Sequence, residues 1–223
     1  MKKSPKTPQT QPRLQLRFDP HDSGAREEVE LPFVIGVMAD LSGKPLARRP
    51  PHAAWKFVDI DNVTFDERLR MSKASVDFVV PNMLTGNGNL EIGLAIEKIE
   101  DFSPWSIAQL VGPLRNLVEI LRQLSKIEKL PENKEETKSA LLAIVDALRG
   151  ESLAVAVPLP PEPREAARAL RSVIECRLSE QINCIIHHPA FLALESTWRG
   201  LLHLVRNTAS DNRVKIRILD VSK

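Results

Sequence analysis

Paired glycines are the first feature of this sequence that could do chemistry. Gly86 and Gly88 stand two residues apart, as glycines do in loops that bind phosphate. A phosphate loop also needs further glycines, a lysine and a helix that follows it. Here an alternating segment follows Asn87-Gly88, and Asn-Gly is typical of a hairpin turn. The pair therefore predicts a turn between two strands.

The histidines and cysteines lack the spacing of a metal site. His187 and His188 are adjacent, so on a helix their side chains point about 100° apart. His203 lies much further along the chain. Cys176 and Cys184 would stand about 12 Å apart along a helix axis, which is too far for a disulfide. We therefore expect no metal, no cofactor and no bond between these cysteines.

Three aspartates are the remaining candidates for catalysis. Asp40, Asp59 and Asp61 come near the ends of predicted strands, where catalytic carboxylates can lie. Turns also favour aspartate at such positions, and no serine, histidine and acid form a nucleophile motif. We expect turn residues and a protein that is not an enzyme. The alternative, an enzyme with an unrecognised site, predicts loss of hydrolytic or transfer activity when these aspartates are replaced.

The composition is that of a globular protein, with 43% hydrophobic and 27% charged residues. The formal net charge of +2 is too small to indicate nucleic acid or an anionic membrane as a partner. Residues 1–12 are basic and polar, which predicts a disordered tail. No apolar run follows them as in a signal peptide, and none reaches the ~20 residues of a membrane helix. We expect a cytoplasmic protein.

The order of elements predicts an α+β protein with a small mixed sheet and packed helices. Alternating or apolar segments predict strands over residues 14–18, 29–40, 56–60, 75–80 and 90–99. Thr64 is the expected N-cap of a helix over residues 65–71. The run over residues 29–40 is almost continuously apolar, which is typical of a strand buried on both faces.

An apolar stripe with a period close to 3.5 follows Ser103-Pro104, a cap with proline at the first helical position. Its residues are Ile107, Leu110, Val111, Leu114, Leu117, Val118, Leu121 and Leu124. We expect one helix here, ended by Pro131, and another over residues 135–148. The stripe is either the core of its own domain or a seam for the helix of another chain.

Four prolines crowd residues 158–163, which predicts an extended spacer over residues 151–168. Beyond it, one helix carries apolar residues at every fourth position: Ile174, Leu178, Ile182 and Ile186. Pro189 must break or restart this helix. A strand over residues 214–219 follows, and it has no partner nearby in the sequence.

Residues 13–150 resemble the small sheath subunit of type VI secretion systems, which are contractile machines. Four motifs carry the resemblance in order. They are ELPFVIGVMADLSG at residues 30–43, KFVDID at 56–61, VPNMLTGNG at 80–88, and DFSP at 101–104 with PLRNL at 113–117. Pro81 departs from the family pattern at one position.

Residues 169–223 resemble the beginning of the large sheath subunit of the same machine. The matching segments are LSEQINCIIHHPAF at residues 178–191, LESTWRGLLHLV at 194–205 and KIRILDVSK at 215–223. An earlier segment, with which the family recruits a disassembly ATPase, has no match, and the proline spacer stands in its place. That substitution puts recruitment of the ATPase through this chain in doubt.

The resemblance implies a structural component of a contractile sheath. Small and large subunits pair, and the pairs assemble with neighbouring protomers into a tube. Contraction of that tube propels an inner tube, whose protein would be an indirect partner. The alternative is a truncated or fused fragment that caps or regulates sheath assembly without building it.

The resemblance also implies which residues bind partners. In the family, the helix after DFSP contacts the large subunit, and terminal strands are exchanged between neighbours, in the manner of β-augmentation. The helix residues carried over are Ile107, Leu110, Val111, Leu114 and Leu117. The strand residues are Leu14, Leu16 and Phe18 at one end and Val214, Ile216 and Ile218 at the other.

The last segment needs a surface to cover its apolar side chains. A tethered segment has an effective concentration in the millimolar range, so folding back within the chain is favoured. We therefore expect Ile174, Leu178 and Ile182 to lie along the stripe of residues 107–117.

Overall fold

The computed structural model describes residues 32–43, 55–129, 134–150, 160–208 and 214–221. The first half contains β1 (Phe33–Ala39), β2 (Val58–Ile60), α1 (Phe65–Ser72), β3 (Ser75–Pro81), β4 (Asn89–Ala95) and a 3-10 turn (Ile99–Phe102). The second half contains α2 (Pro104–Leu110), α3 (Gly112–Lys129), α4 (Lys134–Gly150), α5 (Pro163–Ile186), α6 (Pro189–Asn207) and β5 (Val214–Asp220). This is the predicted α+β class.

The predictions for residues 1–12, for the strand over residues 14–18 and for the start of the spacer lie outside the described residues. The end of the predicted spacer is helical, because α5 already begins at Pro163. Proline is favourable at that position, since the first residues of a helix have no intrahelical partner for an N–H.

The strands form two sheets. In the three-stranded sheet β5 lies in the centre, parallel to β1 and antiparallel to β2. The other sheet is the antiparallel hairpin of β3 and β4. Gly86 and Gly88 lie in its connection with positive φ angles of 73° and 75°, so the turn predicted from Asn87-Gly88 is present.

The prediction that the first long strand is buried on both faces was wrong. The side chains of β1 alternate: Ile35 and Val37 pack against the core, whereas Val34 and Met38 on the opposite face are 45% and 63% exposed. The physical reason is topology, because β1 is an edge strand and one face of its sheet is open. A continuous apolar run does not distinguish this arrangement from a strand covered on both sides.

The prediction of one continuous helix after Ser103 was also wrong. Ser103 does accept a hydrogen bond from the backbone N–H of Ser106, at 3.2 Å. The helix stops at Leu110, and Val111 is extended with a ψ of 116° before α3 begins. Pro113 explains the break, because it has no N–H to donate and its ring excludes the carbonyl four residues earlier.

One hydrophobic cluster runs through the described residues, from Leu41 near β1 to Ile218 in β5. Its largest fully buried side chains include Trp198, Phe102 and Phe191. We call residues 32–150 the first module and residues 163–221 the tail. Both contribute to the same cluster, so the tail folds back onto the first module as expected.

Candidate interaction site

The tail contacts the first module in two places. The sheet junction is the pairing of β5 with β1 and β2. The helical junction comprises the contacts of α5 and α6 with the first module. Together they place the segment that resembles a large subunit against the segment that resembles a small one.

The sheet junction gives the last strand two partners that are distant in the sequence. Ile216 faces Ile35 on one side and Ile60 on the other. Both Ile216 and Ile218 are buried. At the end of β5, a carboxylate oxygen of Asp220 accepts the backbone N–H of Leu41 at 2.8 Å. Inward isoleucines and backbone hydrogen bonds therefore set the position of β5.

An ion pair crosses the outer face of the sheet junction. Arg217 Nε in β5 donates to Asp59 Oδ1 in β2 at 2.7 Å. The two side chains are 44% and 61% exposed. Exposed pairs of this kind contribute little to stability, so this pair is a side-chain link between β5 and β2 that adds little free energy.

The turn after β1 packs closely between the first module and α6 of the tail. Gly43 has a φ of +72°, and a Cβ there would lie 2.7 Å from the carbonyl oxygen of Ser75 and 3.2 Å from Leu194 in α6. Its N–H donates to the carboxylate of Asp40 at 2.9 Å. Glycine is the residue that tolerates this conformation and this close approach.

Trp198 is the centre of the contact between α6 and the first module. Its indole is fully buried, and Nε1 donates to the carbonyl oxygen of Leu41 at 3.0 Å. The ring meets Phe65 edge to face, with centroids 5.7 Å apart. The tryptophan thus satisfies a backbone acceptor and fills the core at the same time.

Helix α5 runs back along α3. Near the end of α3, Arg171 is 3.5 Å from Glu128, and further along α5 reaches α2. The buried face of α5 carries Ala166, Ala167, Leu170, Ile174, Gln181 and Ile185. Of the four residues chosen from the sequence, Ile174 is fully buried, whereas Leu178, Ile182 and Ile186 are partly buried.

The predicted face of α5 drifts from the observed one for a geometric reason. Steps of four residues advance about 40° beyond a full turn, so a strict spacing of four winds around the helix. The observed face mixes steps of three and four and stays toward the first module, over α3, α2 and the end of β3. The sequence spacing predicted the helix correctly, but the contact face that it predicted is rotated about the helix axis relative to the observed one.

Gln181 is a site residue that the sequence reasoning missed. It is completely buried, its Oε1 accepts the backbone N–H of Met83 at 2.7 Å, and its Nε2 donates to the carbonyl oxygen of Pro81 at 3.2 Å. One amide thus pairs with two backbone groups at the end of β3. The sequence did contain one indication of this role, because a glutamine stands between apolar positions on a predicted helix.

The three aspartates have structural partners. Asp61 Oδ1 accepts the N–H groups of Val63 and Thr64 and the hydroxyl of Thr64, at 2.8–2.9 Å. The backbone hydrogen bond from Thr64 is the main cause that lowers the pKa of this carboxyl. Thr64 is the N-cap residue of α1, as predicted, but its side chain makes no capping hydrogen bond to the helix. Its hydroxyl donates to Asp61 Oδ1 instead.

The two adjacent histidines also lie in structural positions. The His188 ring stacks on Phe78 with centroids 4.0 Å apart, and its Nδ1 accepts the N–H of Ala190 at 3.3 Å. His187 Nδ1 lies 2.9 Å from the carbonyl oxygen of Asn183. Among the residues that the model describes, no group of three or more histidine, cysteine or acidic side chains could hold a metal.

The predicted partner-binding residues divide into four groups. Ile107, Val111, Leu114 and Leu117 are buried within the chain, and so are Ile216 and Ile218, whereas Val214 is half-buried. Leu110 is 41% exposed. Leu14, Leu16 and Phe18 lie outside the described residues. Their contacts with a separate subunit stay predictions.

Two family models match this chain in sequence order. Residues 7–153 match the model described as "Type VI secretion system, VipA, VC_A0107 or Hcp2". This chain belongs to the VipA family of type VI secretion proteins. Residues 169–223 match a second model, "EvpB/VC_A0108, tail sheath N-terminal domain". The resemblance to a small subunit joined to the start of a large one is therefore confirmed.

Individual relatives show the same division. The chain is 39% identical over 154 residues to the sheath protein TssB1 of Pseudomonas aeruginosa, covering 69% of this chain and 88% of that protein. It is 37% identical over 97 residues to TssC1 of the same organism, covering 42% of this chain but 20% of that protein. Most of a TssC1-like protein thus has no counterpart in the sequence.

A solved structure, the VipA-N2/VipB contracted sheath of a type VI secretion system, is also similar. One of its chains is 29% identical, with coverage of 52% of this chain and 94% of that chain and a TM-score of 0.42. No helix in the described parts of this chain combines the length and apolar character needed to cross a bilayer.

Proposed function

We propose that this chain is a structural subunit of a contractile type VI sheath, in which the small-subunit module and the start of a large subunit form one folded unit. Membership of the VipA family supports the role in the sheath. The relatives are sheath proteins, which favours a sheath component over a fragment that only caps or regulates.

One observation carries the proposal. The strand from the segment that matches the large-subunit model lies between two strands from the segment that matches the small-subunit model. A central strand is hydrogen-bonded along both edges, so the two segments share one sheet. Such a unit acts through its shape and contacts and requires no catalytic group.

The proposed partners are the large sheath subunit and neighbouring protomers, with the inner tube protein as an indirect partner and assembly in the cytoplasm. Two features leave room for such contacts. Leu110 is exposed beside a buried stripe, and β1 and β2 are the edge strands of their sheet. An edge strand can accept another strand, as the resemblance implies for residues 14–18.

The test is co-expression with a full-length large subunit, followed by electron microscopy for tubes. We expect tubes with this chain and none when it is omitted. Leu110→Asp should reduce tube formation without loss of the fold, because the residue is already exposed. Gln123→Asp on the exposed face of α3 is the matched control and should leave tubes intact. Absence of tubes at normal expression of both wild-type chains would contradict the proposal.

A further inference from the structure

We infer that the surface formed by β1, β2, β3 and α3 is a docking site for the first domain of a large sheath subunit, and that the tail fills this site and keeps separate large subunits out of it. The inference rests on the proposed function. It adds that a separate large subunit attaches to this chain through a different surface.

The occupant belongs to the same class of protein as the excluded partner. Residues 169–223 match the N-terminal domain of the large-subunit family, and β5 and α6 both lie within that match. An incoming large subunit would offer the same elements to the same surface. The site can hold one such segment, because the position between β1 and β2 holds one strand.

The apolar stripe on the first module is not accessible to a second copy. Ile107, Leu114 and Leu117 on the first module are at most 1% exposed. The backbone polar groups at the site already have hydrogen-bond partners in the tail. The indole of Trp198 donates to the carbonyl of Leu41, and the side-chain amide of Gln181 pairs with the carbonyl of Pro81 and the N–H of Met83. A competitor would have to remove β5 from both neighbouring strands and uncover this apolar surface before making any contact of its own.

The tether makes that exchange unfavourable. Helix α4 ends at Gly150 and α5 begins at Pro163, so a short connection joins the two parts. A short tether gives an effective concentration of about 1 mM. A separate segment of equal intrinsic affinity at about 1 µM would therefore be disfavoured by roughly a thousandfold.

The experiment uses the whole chain with a specific protease site inserted between residues 151 and 159. The probe is a dye-labelled polypeptide of this chain's residues 160–223, which carries the same contacts as the docked tail. Uncut and cut chains are each unfolded in urea, refolded with a tenfold excess of probe, and separated by size-exclusion chromatography. Bound dye per chain is then measured.

We expect the cut chain to take up the probe in most molecules, because its own tail has lost the tether. The uncut chain should take up at least a hundredfold less. Trp198→Ala in the uncut chain should raise the uptake, because it weakens the docked tail but leaves the probe unchanged. Arg199→Ala, at an exposed residue of the same helix, is the control and should not raise it.

Two outcomes would overturn the inference. Equal uptake by cut and uncut chains would mean that the tail does not block the site. No uptake by the cut chain would mean that the surface does not recognise such a segment from outside. Neither outcome bears on whether wild-type chains form tubes with a large subunit, so the proposed function is tested separately.

Discussion

The two junctions that hold the tail differ in what they bury. At the helical junction, Trp198 and Ile174 lose all contact with solvent, and the polar atoms of Gln181 are paired. At the sheet junction one face is buried, but the other carries the exposed pair of Arg217 and Asp59. Burial of apolar surface contributes roughly 25 cal/mol per Å², so the helical junction should supply most of the stability.

The sheet junction contributes a different property, which is register. A slip of one residue would turn Ile216 and Ile218 to the open face. The parallel pairing of β5 with β1 and its antiparallel pairing with β2 therefore fix where the tail ends. The comparison predicts that substitutions in the helical junction lower the free energy of unfolding. Substitutions in the sheet junction should instead change the local order of β5.

Replacing Trp198 by alanine should have the largest effect. Truncation of a buried tryptophan costs about 3–5 kcal/mol, and here it also leaves the carbonyl of Leu41 without its donor. The measurement is the free energy of unfolding in urea. Trp105 is exposed, so Trp105→Ala is the matched control, and we expect a change within about 0.5 kcal/mol. Equal losses for the two variants would contradict the assignment of the core.

Replacing Gln181 by leucine should come next. The side chain keeps much of its volume, but the N–H of Met83 loses its partner in a buried place, at a cost of about 1–3 kcal/mol. Urea unfolding gives the loss, and hydrogen exchange at Met83 should rise. Asn183→Ala, on the exposed side of the same helix, is the control. A leucine variant as stable as the wild type would show that this amide is not needed at the helical junction.

The sequence predicted the features that depend on neighbours along the chain. Helix α1, the β3–β4 hairpin and the cap at Ser103 all follow from local residue types. The two modules followed from ordered motifs. The direction in which the tail folds followed from its unpaired apolar side chains, since they need a surface and the tether keeps one close.

The features that the sequence did not predict depend on distant contacts. Nothing local in residues 214–219 indicates that they lie between β1 and β2. The open face of β1 depends on which strands join the sheet. Gln181 is conspicuous only when the backbone groups of Pro81 and Met83 are seen opposite it. In each case the determinant is a partner roughly a hundred or more residues away, which spacing cannot reveal.

Replacing Asp61 probes a part of the first module beside the sheet junction, where the side chain bonds Val63 and Thr64 of the same module. Its lowered pKa means that the stabilisation is complete above the usual carboxyl value of about 3.9. It is lost as the pH falls through the lower folded value. Because Asp61 is exposed, solvent weakens its hydrogen bonds. Asp61→Ala should therefore cost about 0.5 to 1 kcal/mol at pH 7, and the difference from wild type should shrink below about pH 4.

The measurement for Asp61 is urea unfolding of wild type and variant at several pH values. Glu91→Ala, at an exposed acid on β4, is the control and should show no such narrowing. Uptake of the labelled tail by the uncut variant should stay at the wild-type level. A gap that is unchanged down to pH 3 would contradict the role of the ionised carboxylate.

Arg217→Ala should have the smallest effect on stability and so gives the sharpest test of the comparison. Exposed ion pairs contribute less than about 1 kcal/mol, and Arg199→Ala should cost a similar amount because Arg199 pairs with Glu195 at the same distance of 2.7 Å. The two pairs differ in place: one joins β5 to β2, and the other lies within α6. Hydrogen exchange should therefore rise along β5 for Arg217→Ala alone. If β5 exchanges at the wild-type rate in both variants, Ile216 and Ile218 with the backbone ladder are sufficient to hold the register, and the outer ion pair has no part in it.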